Sequence, residues 1–262
     1  MVGHERAVET LQRILRSGPV PHAYLFTAPP GSGKRTLALA FALALNCQAE
    51  APAGQPWPDV PCGLCGSCSR IARGSHPDLL EINLETQARS MGEGGGKAKV
   101  TPAKELRIDS IREMQETVGL TPYSARWRVV IIGDSERLNE EASNCLLKTL
   151  EEPPAHTVLM LLASDESLVL PTVASRCFIV PLHGTPRATI ARALRARWHA
   201  ETEQAELVAA LADGRLGRKN GRGFYRYHDG HKAGVDDTIY GLLGVRPVED
   251  ADAGVVERRL VH

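Results

Sequence analysis

The sequence predicts an α/β protein: a parallel sheet with helices on both faces, interrupted by a cysteine module. Three observations carry that reading. Short, continuous apolar runs recur along the chain, helical patterns lie between them, and a glycine-rich loop joins the first run to a long apolar helix. Strands of a parallel sheet are buried on both faces, so they read as unbroken runs and not as alternation. Runs separated by helical stretches indicate βαβ crossovers.

The first element spans 4–17, where Ala7, Leu11, Ile14 and Leu15 recur at helical spacing. After Pro21, residues 23–27 read as a buried strand, and a Gly/Pro loop leads into 34–47. That stretch is apolar almost all round, as expected of a helix packed on a sheet. Further buried-strand candidates lie at 79–82, 129–132 and 158–163, with a shorter one at 178–180. Between them, 108–118 sets Ile108, Ile111 and Gln115 on one helical face. At 139–150, Ala142, Cys145, Leu146, Thr149 and Leu150 share a face, so Cys145 reads as core. Asn139 is placed as N-cap, and Glu140 and Glu141 fall in the first turn, where the helix dipole favours acids. Residues 92–104, with Gly94-Gly95-Gly96, predict a mobile loop. Beyond Pro186, 187–212 carries helical patterns rich in Ala, Leu and Arg and predicts a small helical domain.

Composition narrows the function classes. The 262 residues include 31 basic and 31 acidic side chains, giving zero formal net charge, with 43% hydrophobic and 24% charged residues. These are ordinary globular values, for roughly one or two domains. No apolar run approaches the ~20 residues of a membrane span. Neutral charge argues against a bulk nucleic-acid coat, while leaving room for a local patch. The opening Met1-Val2-Gly3-His4-Glu5-Arg6 lacks a basic region followed by an apolar one, so the expectation is a soluble, cytoplasmic protein.

Four of the six cysteines, Cys47, Cys62, Cys65 and Cys68, fall within a short stretch, the last three as C-x-x-C-x-x-C. Two-residue spacers, one of them containing Gly63, let the backbone turn so that the sulfurs face one point. Four such sulfurs suit tetrahedral zinc. A disulfide pair or redox dithiol is the competing reading. A cytosolic setting disfavours the first, and a thioredoxin-type site needs only two cysteines. With four protein ligands no position is open to water, so the expected Zn²⁺ is structural.

The loop Ala28-Pro29-Pro30-Gly31-Ser32-Gly33-Lys34-Arg35-Thr36 lies between strand and helix, the context of a phosphate-binding loop. Gly31 and Gly33 would let backbone N–H groups point inward, and Lys34 would neutralise phosphate charge. Two features break the pattern. Arg35 stands where a magnesium-binding hydroxyl belongs, leaving Thr36 one residue late and about 100° round the helix. After 129–132, position 133 is Gly where a metal-holding Asp is expected, and Asp134 would fall on the opposite face of a continuing strand. Hydrolysis needs metal and a water-orienting carboxylate together. The loop therefore reads as an inherited shape without hydrolytic chemistry, and ATP binding is doubtful.

These residues carry a resemblance. Residues 1 to about 213 resemble the delta-prime family of bacterial DNA polymerase III clamp-loader subunits. The matching segments are Val2-Gly3-His4, Pro21-His22-Ala23-Tyr24-Leu25-Phe26, the degenerate loop, and the cysteine cluster followed by His76-Pro77-Asp78-Leu79. They continue with Thr121-Pro122-Tyr123, with 144–154 (N-C-L-L-K-T-L-E-E-P-P), and with Pro171 onward to Ser175-Arg176-Cys177. The resemblance implies an AAA+ module: a RecA-like domain at 1–165 with a zinc insert at about 47–68, then a helical lid at 166–212. It further implies a stationary ring subunit without its own ATPase, beside gamma/tau motor and delta subunits. Through that complex it would serve a sliding clamp and primer-template DNA. Arg176 would reach the neighbour's nucleotide as a trans arginine finger.

The family's helical collar is expected from about 213 and does not follow. Instead 213–262 resembles the C-terminal segment of 3-hydroxyacyl-CoA dehydrogenases, through Gly217-Arg218-Lys219-Asn220-Gly221-Arg222-Gly223-Phe224-Tyr225, then Val235-Asp236 and Ile239-Tyr240-Gly241. The tail is too short to bring a dinucleotide-binding domain, so dehydrogenase activity is not expected. Its basic residues, interleaved with Phe224, Tyr225 and Tyr227, have a composition able to bind nucleic acid, though a poorly packed appendage is the preferred reading.

Overall fold

A computed structural model describes residues 3–58, 60–92, 104–185, 187–198, 225–228 and 231–235. The chain divides into two compact units, Gly3–Gly184 and the residues from Thr185 onward. In the first unit the order is α1 (Glu5–Ser17), β1 (Ala23–Thr27), α2 (Lys34–Asn46), α3 (Gly66–Ala72), β2 (Leu79–Ile82) and α4 (Leu84–Gly92). There follow α5 (Ile108–Val118), β3 (Arg128–Ile132), α6 (Glu140–Glu151), β4 (Thr157–Ala163), α7 (Pro171–Ala174) and β5 (Phe178–Pro181).

The five strands form one parallel sheet in the order β2-β3-β4-β1-β5. Strand alternation sorts their side chains between two cores. Tyr24, Phe26, Val129, Ile131, Val158 and Met160 point to the face covered by α1 and α2, meeting Leu11, Leu15, Phe41 and Leu45. Leu25, Val130, Ile132, Leu159 and Leu161 point to the other face, where α5, α6 and α7 bring Ile111, Met114, Leu146, Leu150 and Val173. Covering on both faces is why these strands read as unbroken apolar runs. Asn139 caps α6 as expected, its Oδ1 accepting from Ala142 N–H at 2.8 Å. Gln115 joins α5 to α6 by donating to Cys145 O and Thr149 Oγ1, both at 2.8 Å.

One expectation differs from the structure. The division between units falls after Gly184 and not after 165, because β5 pairs with β1 (Tyr24 beside Phe178) and so completes the main sheet. β3 stops at Ile132. Gly133 N–H bonds Ile82 O at 2.7 Å, and Asp134 then turns into the left-handed region (φ 52°) to open a short 3₁₀ helix, Ser135–Arg137.

The N-terminal ends of β2 and β3 are fastened by buried polar groups. The Asp78 carboxylate accepts the backbone N–H groups of Tyr123, Ser124 and Ala125 at 2.7–2.9 Å and pairs with Arg128 at 3.1 Å. Arg128 also donates to the carbonyls of Thr117, Leu120 and Thr121. Burial pushes the Asp78 carboxyl up, but those donors outweigh it and bring it down to about 2. Beside it, Asn46 and Trp127 exchange two hydrogen bonds, of 2.9 and 3.0 Å, tying the end of α2 to the start of β3.

The second unit holds α8 (Arg187–Trp198) and an antiparallel pair of strands, β6 (Tyr225–His228) and β7 (His231–Val235). The rest of the expected lid and tail, and the glycine loop at 93–103, lie outside the described residues. Among the described residues, no helix is long and apolar enough to cross a membrane.

Candidate functional site

The cysteines form the most sharply defined site. Cys47 directly follows α2, Cys62 and Cys65 lie on the connecting segment, and Cys68 is in α3. Their four Sγ atoms lie within 4.8 Å of one another. A tetrahedron of sulfurs around one ion at ~2.3 Å has edges of about 3.8 Å, so the cluster needs little adjustment to hold a metal. Backbone N–H groups are aimed at the sulfurs: Cys62 N to Cys47 Sγ and Cys65 N to Cys62 Sγ at 3.3 Å, and Cys68 N to Cys65 Sγ at 3.4 Å. Burial raises the Cys65 thiol, yet N–H bonds from Cys68 and Gln48, with neighbouring thiols, bring it down to about 6. Backbone N–H groups lower Cys62 as well, while burial and the neighbouring thiols hold Cys68 up at about 12, so the thiolate, the form that binds metal, is favoured at Cys62 and Cys65 and not across the whole cluster.

A short buried chain leads from this cluster to the Asp78 fastening. His76 Nδ1 accepts from Asp78 N–H at 3.1 Å, which leaves Nε2 to donate to Ser67 Oγ at 3.2 Å. Burial lowers the His76 pKa and, with Arg70 nearby, keeps the ring neutral; Asp78 opposes this only in part.

The phosphate-type loop lies at the opposite, C-terminal end of the sheet. Gly31 (φ 77°) and Gly33 (φ 90°) adopt the left-handed conformation, and Gly33 caps α2 without a side-chain partner. Lys34 Nζ folds back onto the loop's own carbonyls, donating to Ala28 O and to Pro29 O. Burial lowers its pKa, opposed by the nearby carboxylates of Glu136 and Asp134. Arg35 turns away and forms a two-bond pair with Glu81 of β2, at 2.7 and 2.8 Å. Thr36 is exposed on the groove between α2 and α3, beside Leu39, Leu43 and Ile71.

The missing Asp at 133 is more than an absent carboxylate. A β-carbon built there would lie 3.1 Å from Asn83 Cβ, a tight approach that requires Asn83 to give by a few tenths of an ångström. The nearby acid that sequence reasoning missed is Glu136. Its Oε1 accepts from Ser164 Oγ at 2.6 Å, while its buried Oε2 has no partner. His4 was also missed: Nε2 contacts Ser32 O at 2.6 Å, and the ring lines a cavity of about 420 Å³ with Arg6, Thr10 and the 179–183 segment.

Arg176 stands apart from this loop. It follows α7 and precedes β5, whose first residue Phe178 is level with Tyr24 at the start of β1. The loop begins after Thr27, four residues further on, so along the sheet roughly 13 Å or more separates Arg176 from the loop's level. The guanidinium donates to Thr172 O through Nη1 at 2.8 Å and to Glu151 Oε1 through Nη2 at 2.6 Å. Its side chain is about one-third exposed (37%).

Comparison with known proteins accords with this architecture. The family model described as "DNA polymerase III, delta subunit" matches residues 3–186. The chain is 35% identical over 195 residues to the DNA polymerase III delta' subunit of Pseudomonas aeruginosa, covering 74% of this chain and 53% of that protein. It is 32% identical over 219 residues to the tau subunit of Bacillus subtilis, covering 82% of this chain and 35% of that one. The chain thus spans about half or less of the length of these relatives. Among solved structures, a DNA polymerase III gamma subunit-related protein from Thermotoga maritima superposes with TM-score 0.51 at 22% identity, covering 79% of this chain and 54% of that one. The RuvB Holliday junction branch migration motor of the same organism gives 0.50 at 16% identity, over 84% and 62%. At those identities the structures speak for the fold, a RecA-like AAA+ module. Taken with the sheet order and the family match over the whole first unit, the chain belongs to the DNA polymerase III delta-subunit family as a delta-prime-like clamp-loader subunit.

Proposed function

We propose that this subunit is a non-hydrolysing stator of the clamp loader that lends Arg176 to ATP held by an adjacent motor subunit. The observation that carries the reading is the location of Arg176. The guanidinium lies toward the far end of the sheet from its own loop, is paired with Thr172 O and Glu151, and keeps three further N–H donors with which to meet a neighbour's phosphates. A guanidinium is permanently charged and forks onto phosphate oxygens, stabilising charge that builds in phosphoryl transfer. The loop chemistry agrees: Arg35 is committed to Glu81, position 133 has no carboxylate, and Lys34 is bonded to its own loop.

The cysteine cluster holds a structural Zn²⁺ in this reading, with Cys47, Cys62, Cys65 and Cys68 as its four ligands. Four thiolates close the coordination shell, so the ion contributes rigidity. The partners are gamma/tau motor and delta subunits, with the sliding clamp and primer-template DNA reached through the complex. The competing reading, an active motor subunit, rests on Gly31, Gly33 and Lys34 alone.

The test is a reconstituted loader. Arg176→Ala lowers ATP turnover at the served site by at least ~10-fold, toward the ~10³-fold or more that arginine fingers supply. The isolated chain shows no magnesium-dependent phosphate release. Turnover unchanged by Arg176→Ala, or rapid release by the isolated chain, refutes the stator reading.

A further inference from the structure

We infer that Glu151 is the positioning residue for Arg176, holding its guanidinium in the orientation in which it is offered to the neighbour's phosphate. The inference rests on the arginine-finger reading above and deepens it.

Both supports of the pair are rigid. Glu151 ends α6, whose last turn is anchored by buried Leu150 and by a 3.1 Å contact between His22 Nε2 and Leu150 O. Arg176 leaves a single-turn helix whose Val173 and Ala174 are buried. That turn is further tied by Ser175 Oγ to Thr172 O at 3.2 Å and Cys177 Sγ to Val173 O at 3.3 Å. From these anchors Glu151 takes one N–H of Nη2 and Thr172 O takes one of Nη1. A guanidinium carries five N–H donors in a fixed plane. Three therefore remain: Nε–H and one on each terminal nitrogen. Held at two points, the plane is restricted in its rotation about the long side chain, and three donors are left unused by these two contacts.

Stability does not account for this pair. With side chains 37% and 52% exposed, it belongs to the class of surface ion pairs that contribute little to folding. Orientation is a different matter. A long, rotamer-rich side chain that must be ordered at the moment of reaction loses rate for each freedom it retains, and prior ordering removes that cost.

The test compares Glu151→Ala, Glu151→Gln and Arg176→Ala in a loader assembled with the ATP-hydrolysing gamma/tau subunit. Glu151→Ala is expected to lower kcat for ATP about three- to ten-fold with KM unchanged, as lost positioning does. Glu151→Gln keeps a neutral acceptor in place and is expected to recover most of the rate. If Arg176→Ala slows turnover but Glu151→Ala leaves it unchanged or faster, the positioning role is overturned and the finger stands. If Arg176→Ala itself has no effect, the finger reading falls and takes this role with it. A second measurement needs no partner. The heteronuclear NOE of Arg176 Nε–H in the isolated full chain should report an ordered group in the wild type and a mobile one in Glu151→Ala. Equal order in both overturns the inference.

Discussion

The two ends of the central sheet invite comparison, because both carry charged side chains and use them differently. Where β2 and β3 begin, Asp78 gathers three backbone N–H groups and Arg128, and a buried histidine links it to the cysteine module. Where β1 and β3 finish, Lys34 is folded onto its own loop, Arg35 is paired with Glu81, and Glu136 keeps one buried oxygen without a partner. The first end has the polar satisfaction of a structural joint. The second keeps the backbone of a phosphate loop, with its two left-handed glycines, while its side chains have found local partners. On the proposed stator reading, the loop end serves as scaffold and the chemistry depends on what the chain presents elsewhere.

The largest effect is expected at the cysteine cluster. In the proposed zinc site Cys68→Ser removes one of the four sulfurs, a buried one, and zinc measured by elemental analysis should be one equivalent in the wild type and background in the variant. Metal binding to such a site is coupled to folding, so faster amide exchange across 47–72 should accompany the loss. Full zinc retention in the variant would break the comparison at its structural end.

The next effect belongs to Asp78. Asp78→Ala strands Arg128 among carbonyls in the interior and should cost about 3–5 kcal/mol by urea unfolding. The pH dependence has a defined sign. The Asp78 carboxyl sits at about 2 in the folded chain, below the ~3.9 of an unfolded aspartate, so its contribution is fully present above pH ~4. It is lost as pH falls through about 2. The stability gap between wild type and Asp78→Asn should therefore be constant above pH 5 and shrink steadily below pH 4. A gap that widens on acidification would show that the carboxylate is not the stabilised form.

Much of this architecture was legible in the sequence, for a physical reason. Strands buried on both faces carry unbroken apolar runs, so all five appear within a residue or two of their observed limits, and Asn139 announces the start of α6 by its cap chemistry. The cysteine spacing was equally plain, since metal geometry constrains local sequence. What escaped were pairings between distant segments. Arg35 with Glu81, Asp78 with the 123–125 turn, and Arg176 with Glu151 are separated by 25 to 47 residues and leave no periodic trace. Glu136 escaped because nothing in the sequence signals the turn that follows Ile132. The left-handed turn at Asp134 redirects the chain and brings a residue two further on to face Ser164. The division between units was misplaced for a related reason: an edge strand that pairs with β1 belongs to the sheet, however close in sequence to the helices that follow.

The smallest effect sharpens the comparison at the loop end. Restoring the expected residues with Arg35→Thr and Gly133→Asp should not restore hydrolysis. Arg35→Thr breaks an ion pair whose arginine is 60% exposed, and such pairs contribute under about 1 kcal/mol. Gly133→Asp costs more, about 1–3 kcal/mol, because its β-carbon must displace Asn83 from 3.1 Å. That shift falls beside the 2.7 Å bond from Gly133 N–H to Ile82 O, the backbone on which the new carboxylate would depend for its aim. Phosphate release by the double variant should stay at background across a magnesium titration, with a urea midpoint only modestly lowered. Magnesium-dependent turnover in that variant would mean the loop end lost its chemistry by two substitutions alone, with a competent site still waiting beneath them.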